Sequence, residues 1–213
     1  MANPLFYLHK IGHFREIDYF QLKSALSAYT HPHAKIRQLL ATDALIRVKK
    51  GLYVLGETYN NTPISLEILA NLIYGPSAIS LEFALAYYGL IPERVYAITS
   101  ITPQRDKIFD TPVGRFTYRY LTMKKYTIGL TRLRLNDGRY IIIASPEKAL
   151  LDKIYFSKAI VIQSNQEVEN FLFEDLRIDE NILETFDINL LSEIAMIYKN
   201  ASVTAVTNYL KQR

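Results

Sequence analysis

Three groups of residues in this sequence have types and spacings that could do chemistry. The first is Lys35, Arg37 and Gln38, in HPHAKIRQLLATD. Arginine can donate two hydrogen bonds to guanine, and glutamine can pair in two ways with adenine, so the trio suits the major groove of DNA. Thr30, His31 and His33 stand just before it. Hydroxyls and free backbone N–H groups at a helix start hold phosphate oxygens. Two histidines with no carboxylate or cysteine near them supply too few ligands for a metal, so no metal site is expected. The second group is Arg47, Lys49 and Lys50, in LIRVKKGLYVL. Such residues neutralise phosphates or enter the minor groove, which gives affinity and salt dependence rather than sequence choice. Lysines on a strand edge also discourage pairing with other sheets, and both roles can hold together.

The third group is Glu147, Lys148 and Asp152, in ASPEKALLDKIYF. A carboxylate and an amine so close in sequence look catalytic. The pattern also has a plainer reading. Ser145 is an N-cap, Pro146 suits the first helical position, and Glu147 complements the positive end of the helix. Lys148 and Asp152 stand at i, i+4, where opposite charges pair. We therefore expect no catalytic residue here, and nothing in the sequence supports a nuclease site assembled from Asp110, Glu147 and Lys148. The sequence has no phosphate-cradling glycine loop, no G-x-S-x-G and no metal-ligand cluster, so no cofactor and no enzyme activity are expected.

These side chains need elements to hold them. Leu5, Leu8 and Ile11 are spaced for one helix face. A second helix fits Ile17 to Ser27, with Phe20, Leu22, Ala25 and Leu26 inward. A third fits His33 to Asp43, with Ile36, Leu39 and Leu40 toward the core and Lys35, Arg37, Gln38 and Ala41 away from it. Ile46 and Val48 then alternate with Arg47 and Lys49, as in a half-buried strand. Gly51 permits the positive φ of a tight hairpin, and Leu52–Leu55 is the return strand. Two short helices and a hairpin with basic residues at its tip make the outline of a winged helix-turn-helix.

The rest reads as mixed α/β. Thr62-Pro63 starts a helix over Leu66–Tyr74, and Ser80 caps an apolar one ending at Tyr88. Val95–Ile101 and Gly114–Leu121 read as strands. Ile128–Leu135 and Arg139–Ala144 form a hairpin across Asn136-Asp137-Gly138. Ser145-Pro146 opens a helix ending near Phe156, and short amphipathic helices follow Asn165. Strand periodicity puts Arg115 and Arg119 on one face and Arg132 and Arg134 on one face, with Lys124 and Lys125 in the connection. If these strands are neighbours, the six form a second basic surface for flanking DNA or for RNA. The wet face of a half-covered sheet is the other reading.

Bulk properties are consistent with this organisation. The 213 residues are 49% hydrophobic and 22% charged, enough to bury a core without staples. Cysteine is absent, which excludes disulfides and thiolate chemistry and suits a reducing compartment. Met1–Lys10 does not read as a signal peptide, and no run of about 18 apolar residues suggests a membrane span, so a cytoplasmic protein is expected. Residues 1–60 hold 8 Lys/Arg against 4 Asp/Glu, residues 61–157 hold 12 against 8, and residues 158–213 hold 5 against 9. The first three quarters are basic and the tail is acidic, so an anionic partner is expected for the basic part.

Three stretches, IRQLLATDALIRVKKGLYVLG, AISLEFALAYYGLIPE and ASPEKALLDKIYF, occur in this order at Ile36–Gly56, Ala78–Glu93 and Ala144–Phe156. In these stretches the chain resembles the AbiEi-type transcriptional regulators, the antitoxins of type IV toxin–antitoxin systems. The resemblance implies a winged helix-turn-helix over residues 1–60 and a mixed α/β antitoxin-type domain with an antiparallel sheet over 61–157; the acidic helical region over 158–213, expected to pack on the middle domain, falls outside it. It also implies repression of the chain's own operon through inverted repeats in double-stranded DNA, with two copies on that DNA. The partner it implies is a nucleotidyltransferase-like toxin opposed without a stable complex. It assigns no catalytic role to Glu147, Lys148 or Asp152. Two other classes stay open: a ligand-sensing regulator with a pocket in the middle domain, and an RNA-binding protein or nuclease using the basic sheet face.

Overall fold

The computed structural model describes residues 15–57, 62–158 and 161–212, so the helix expected through Leu5, Leu8 and Ile11 lies outside the described residues. The described chain is a mixed α+β structure, with two sheets and a set of C-terminal helices.

The first sheet is small. Strand β1 (Glu16–Asp18) leads into helix α1 (Tyr19–Ala25) and helix α2 (Pro32–Ala41), and strands β2 (Leu45–Lys49) and β3 (Leu52–Leu55) follow. The order is β1-β3-β2, antiparallel throughout. The helix expected from Ile17 begins two residues later. Asp18 is the reason: its carboxylate accepts from Gln21 N–H at 2.8 Å, and the Gln21 side chain accepts from Asp18 N–H at 2.9 Å. This capping box fixes the helix start and leaves Ile17 to the sheet, opposite Tyr53. Phe20, expected inside, is 79% exposed. It stands two residues from buried Leu22, about 200° around the helix, so the two cannot share a face.

Helix α2 starts on Pro32, one residue before the expected His33, because proline suits a first helical position, and ends at Ala41 rather than Asp43. Asp43 adopts a left-handed conformation with φ 51, which no helix continues through. Gly51 turns the hairpin at φ 86. Gly56 is needed for a different reason. Its N–H donates to Ala44 C=O at 3.0 Å, and a Cβ there would stand 1.9 Å from the Asp43 carbonyl oxygen.

Strand β3 forms as expected, and all four of its residues are buried. The register explains it. Tyr53 and Leu55 pack with Ile17, Leu22, Ile36 and Leu39 on the helical side. Leu52 and Val54 join Val48 in the larger core on the other side. The hairpin therefore does not project freely; it lies against the rest of the chain. Arg15, itself buried, adds to this joint by donating to Leu55 C=O at 2.7 and 2.9 Å and to Thr62 C=O at 2.9 Å.

The second sheet has six strands: β4 (Ala78–Ile79), β5 (Ile98–Thr102), β6 (Lys107–Thr111), β7 (Gly114–Tyr120), β8 (Leu130–Arg134) and β9 (Tyr140–Ala144). Their order is β6-β7-β5-β4-β9-β8, with parallel pairing at β5/β7 and β4/β9 and antiparallel pairing elsewhere. Strands β1, β4 and β6 were not expected. Helix α3 (Leu66–Ile73) covers one face, where the Tyr118 hydroxyl donates to Ala70 C=O at 2.7 Å. Its N-cap is Ser65, not the Thr62-Pro63 pair. Helices α4 (Leu81–Tyr87) and α6 (Pro146–Phe156) pack against each other on the opposite face. Helix α5 (Met123–Thr127) links β7 to β8. Helices α7 (Asn165–Glu169), α8 (Glu180–Leu183), α9 (Ile188–Tyr198) and α10 (Ala201–Gln212) follow, and α9 and α10 pack on α6 within the larger core. No helix among the described residues is long and apolar enough to cross a membrane.

Candidate nucleic-acid interface

Helix α2 carries the first group of candidate residues. Ile36 and Leu39 hold it to the core, which turns His33, Arg37 and Gln38 outward, all exposed. Lys35 lies partly along the surface: its ammonium donates to the Gln38 side-chain oxygen at 2.9 Å and sits 5.6 Å from the Tyr29 ring centre. The Gln38 amide nitrogen remains to donate. Arg37 makes no ion pair with any described residue. At the helix start, Thr30 and His31 are exposed, and His31 is the N-cap residue without a side-chain cap. Pro32 has no N–H, and the N–H groups of Ala34 and Lys35 donate to His31 C=O at 3.1 and 3.2 Å, so His33 N–H is the one in the first turn left for an anion. The His33 ring stacks on Tyr19 with 6.5 Å between ring centres.

The electrostatics of this region follow from one compositional fact. From Tyr19 through Thr42 the sequence has no Asp or Glu, while it has Lys23, Lys35 and Arg37. Lys23, exposed in the last turn of α1, was not among the expected contact residues. The missing carboxylates were the signal that could have found it.

The second group divides. Arg47 and Lys50 are exposed, on β2 and at the hairpin turn. Lys49 is not at the tip in the same sense. It faces the larger core and its ammonium donates to Ile73 C=O at the end of α3. Burial, then the nearby charge of Lys107, holds its pKa below the usual lysine range.

The second basic surface does not exist as one surface. Strands β7 and β8, which such a surface needs as neighbours, are separated by β5, β4 and β9, four strand spacings or about 19 Å. The unexpected strand β4 and the parallel pairs β5/β7 and β4/β9 account for the separation. Local partners also occupy these charges. Arg115 pairs with Asp110 at 3.6 Å, and Arg119 pairs with Asp106 at 3.5 Å and covers the Phe156 ring. Arg132 lies 3.8 Å from the Tyr140 ring centre, and Lys125 donates to the Tyr155 hydroxyl at 3.0 Å. Lys124 and Arg134 are exposed, on α5 and β8.

The third group is inside the protein. Lys148 and Asp152 are both fully buried and meet at 3.1 Å. The Lys148 ammonium also donates to the Tyr198 hydroxyl at 2.7 Å and to Lys125 C=O at 2.8 Å. Asp152 accepts from Ser80 at 2.5 Å and from Tyr198. Burial pushes the Lys148 pKa down and that of Tyr198 up. Ser80 does stand at the start of α4, but its hydroxyl serves Asp152 instead of capping the helix. Glu147 accepts from Asp187 N–H at 3.0 Å. With every polar atom of the pair satisfied and no water-facing side, the cluster fastens α4, α6 and α9 together.

One open cavity of about 650 Å³ lies on the α4/α6 face, lined in part by Leu81, Thr99 and Phe156. Four of its charges pair off: Glu82 with Lys153 at 2.7 Å, and Arg119 with Asp106. Among the described residues, no group of three or more His, Asp or Glu side chains is arranged to hold a metal ion.

No protein-family model matches this chain, and no curated protein does. A similar fold occurs in the solved structure of the RV2827C protein from Mycobacterium tuberculosis. That match has a TM-score of 0.52 and 12% sequence identity, and covers 98% of this chain and 80% of that one.

Proposed function

We propose that this chain is a sequence-specific DNA-binding transcriptional regulator whose N-terminal unit is a winged helix-turn-helix. The observation that carries this reading is helix α2, which turns Arg37, Gln38 and His33 outward from a stretch of sequence without a carboxylate. The element order β1-α1-α2-β2-β3 and the sheet order β1-β3-β2 support it, because they set a hairpin beside that helix. In this reading α2 enters the major groove. Arg37 and Gln38 meet base edges, while Thr30, His31 and Lys35 hold phosphates near the helix start. Arg47 and Lys50 on the hairpin add sequence-independent contacts to the backbone.

The resemblance to AbiEi-type antitoxins supplies the finer proposal. The chain represses its own operon from inverted repeats, two copies to a site, and opposes a nucleotidyltransferase-like toxin without binding it stably. It works in the cytoplasm, by binding rather than by catalysis. The test is a mobility-shift titration on the DNA upstream of its own gene. Arg37→Ala should cost about 1–3 kcal/mol on that DNA and relax discrimination against a scrambled duplex. Lys50→Ala should weaken both duplexes alike and lower the salt dependence by about one unit of slope. Unchanged binding in both variants would overturn the docking mode.

A further inference from the structure

Lys49 and Lys107 reach the same place from two sides. Lys49 comes from the hairpin and donates to the last carbonyl of α3, at Ile73. Lys107 comes from the edge strand β6, and its ammonium stands 5.4 Å from the ring centre of Tyr74, the next residue, and 5.0 Å from that of Phe109. The two ammonium groups are near enough that Lys107 disfavours the charge on Lys49. Like charges brought together cost free energy unless an anion answers them.

No anion of the described chain does so. Among the described residues neither lysine has a carboxylate within ion-pair distance. Strand alternation explains this. Lys107 pairs with Tyr118 in the ladder and so lies on the α3 face. The carboxylates of the same stretch, Asp106 and Asp110, stand one and three positions away and so fall on the other face, where Arg119 and Arg115 take them. The α3 face of this edge is left with positive charge only. It is also continuous with the hairpin, because Val48, Leu52 and Val54 are packed into the same core as α3.

We propose that Lys49 and Lys107 form a phosphate seat that carries the DNA interface past the hairpin onto the six-stranded sheet. This rests on the DNA-binding reading above. The occupant is a backbone phosphate of the same duplex, just beyond the stretch under the hairpin. Lys49 is fixed by Ile73 and supplies a rigid side to the seat. Lys107 is exposed and closes onto the phosphate. A rigid joint between hairpin and sheet makes this possible, since a seat built from two elements needs both held in register.

The experiment measures affinity and its salt dependence on two duplexes, the gene's own upstream DNA and a scrambled version of equal length. The wild-type chain is compared with Lys107→Ala and Lys107→Arg. Lys107 is exposed, so all three should melt at the same temperature. Lys107→Ala should weaken both duplexes about fivefold near 0.1 M salt and lower the salt slope by about 0.9. Lys107→Arg should restore both. On a duplex trimmed to end under the hairpin, wild type and Lys107→Ala should bind equally. If Lys107→Ala matches wild type on the full duplex while Arg37→Ala and Lys50→Ala lose affinity, the seat is overturned and the DNA-binding reading stands. If wild type binds neither duplex, that reading falls and the seat falls with it.

Discussion

Helices α2 and α6 are ten and eleven residues long, and each has a proline in its first turn. In α6 the charged residues Lys148 and Asp152 lie on the buried side and hold each other. In α2 the apolar residues Ile36 and Leu39 lie on the buried side, and the charges face out with no carboxylate among their neighbours in sequence. The starts of the two helices differ in the same sense. Ser145 closes the start of α6 by accepting from Lys148 N–H at 3.3 Å, whereas His31 leaves the start of α2 uncapped. A charge inside a core acts on the fold, and a charge with no partner outside acts on whatever approaches. Spacing within the helix does not separate these cases; the side that faces the core does.

The contrast can be broken at several points. The largest effect belongs to Asp152→Ala, which leaves the Lys148 ammonium buried without its counter-charge. Unfolding in urea should show a loss of about 3–5 kcal/mol. A loss near zero would mean that the cluster does not fasten α4 to α9. Ser145→Ala comes next, with about 1 kcal/mol for the lost cap. His31→Ala is the matching change on α2, and there the same urea titration should register no loss, since no side-chain cap is removed. Its effect should appear in DNA affinity instead. Equal stability losses at the two sites would remove the distinction between a closed start and an open one.

Much of this was legible in the sequence. Pro32 and Ser145-Pro146 mark the two helix starts, and Gly51 and Asn136-Asp137-Gly138 mark their turns, because each acts through local backbone chemistry. The hairpin of β8 and β9 follows from that Asn-Asp-Gly turn between two strand-like runs. The errors share a cause. Ile17 reads as helical until the capping box of Asp18 and Gln21 is weighed. Strand β6 is half exposed and edge-placed, so KIFDT has no clear pattern. The six-strand order depends on parallel pairs between segments far apart in sequence, and no local signal reports those. The supposed basic face of Arg115, Arg119, Arg132 and Arg134 failed on that point. Lys107 was passed over because its importance comes from Lys49, 58 positions earlier, across a joint between the two sheets.

That joint has a consequence for how the molecule comes apart. Strand β3 is shared, with alternate residues belonging to different cores. Cutting the chain after Gly56 would expose Val48, Leu52 and Val54 to water, at about 1.5–3 kcal/mol for each side chain. The small sheet is therefore not an autonomous folding unit. Partial opening that frees it from α3 carries the same penalty, so thermal unfolding should show the two sheets melting in a single cooperative transition. Anything that tightens the middle of the chain also holds the hairpin and α2 in place.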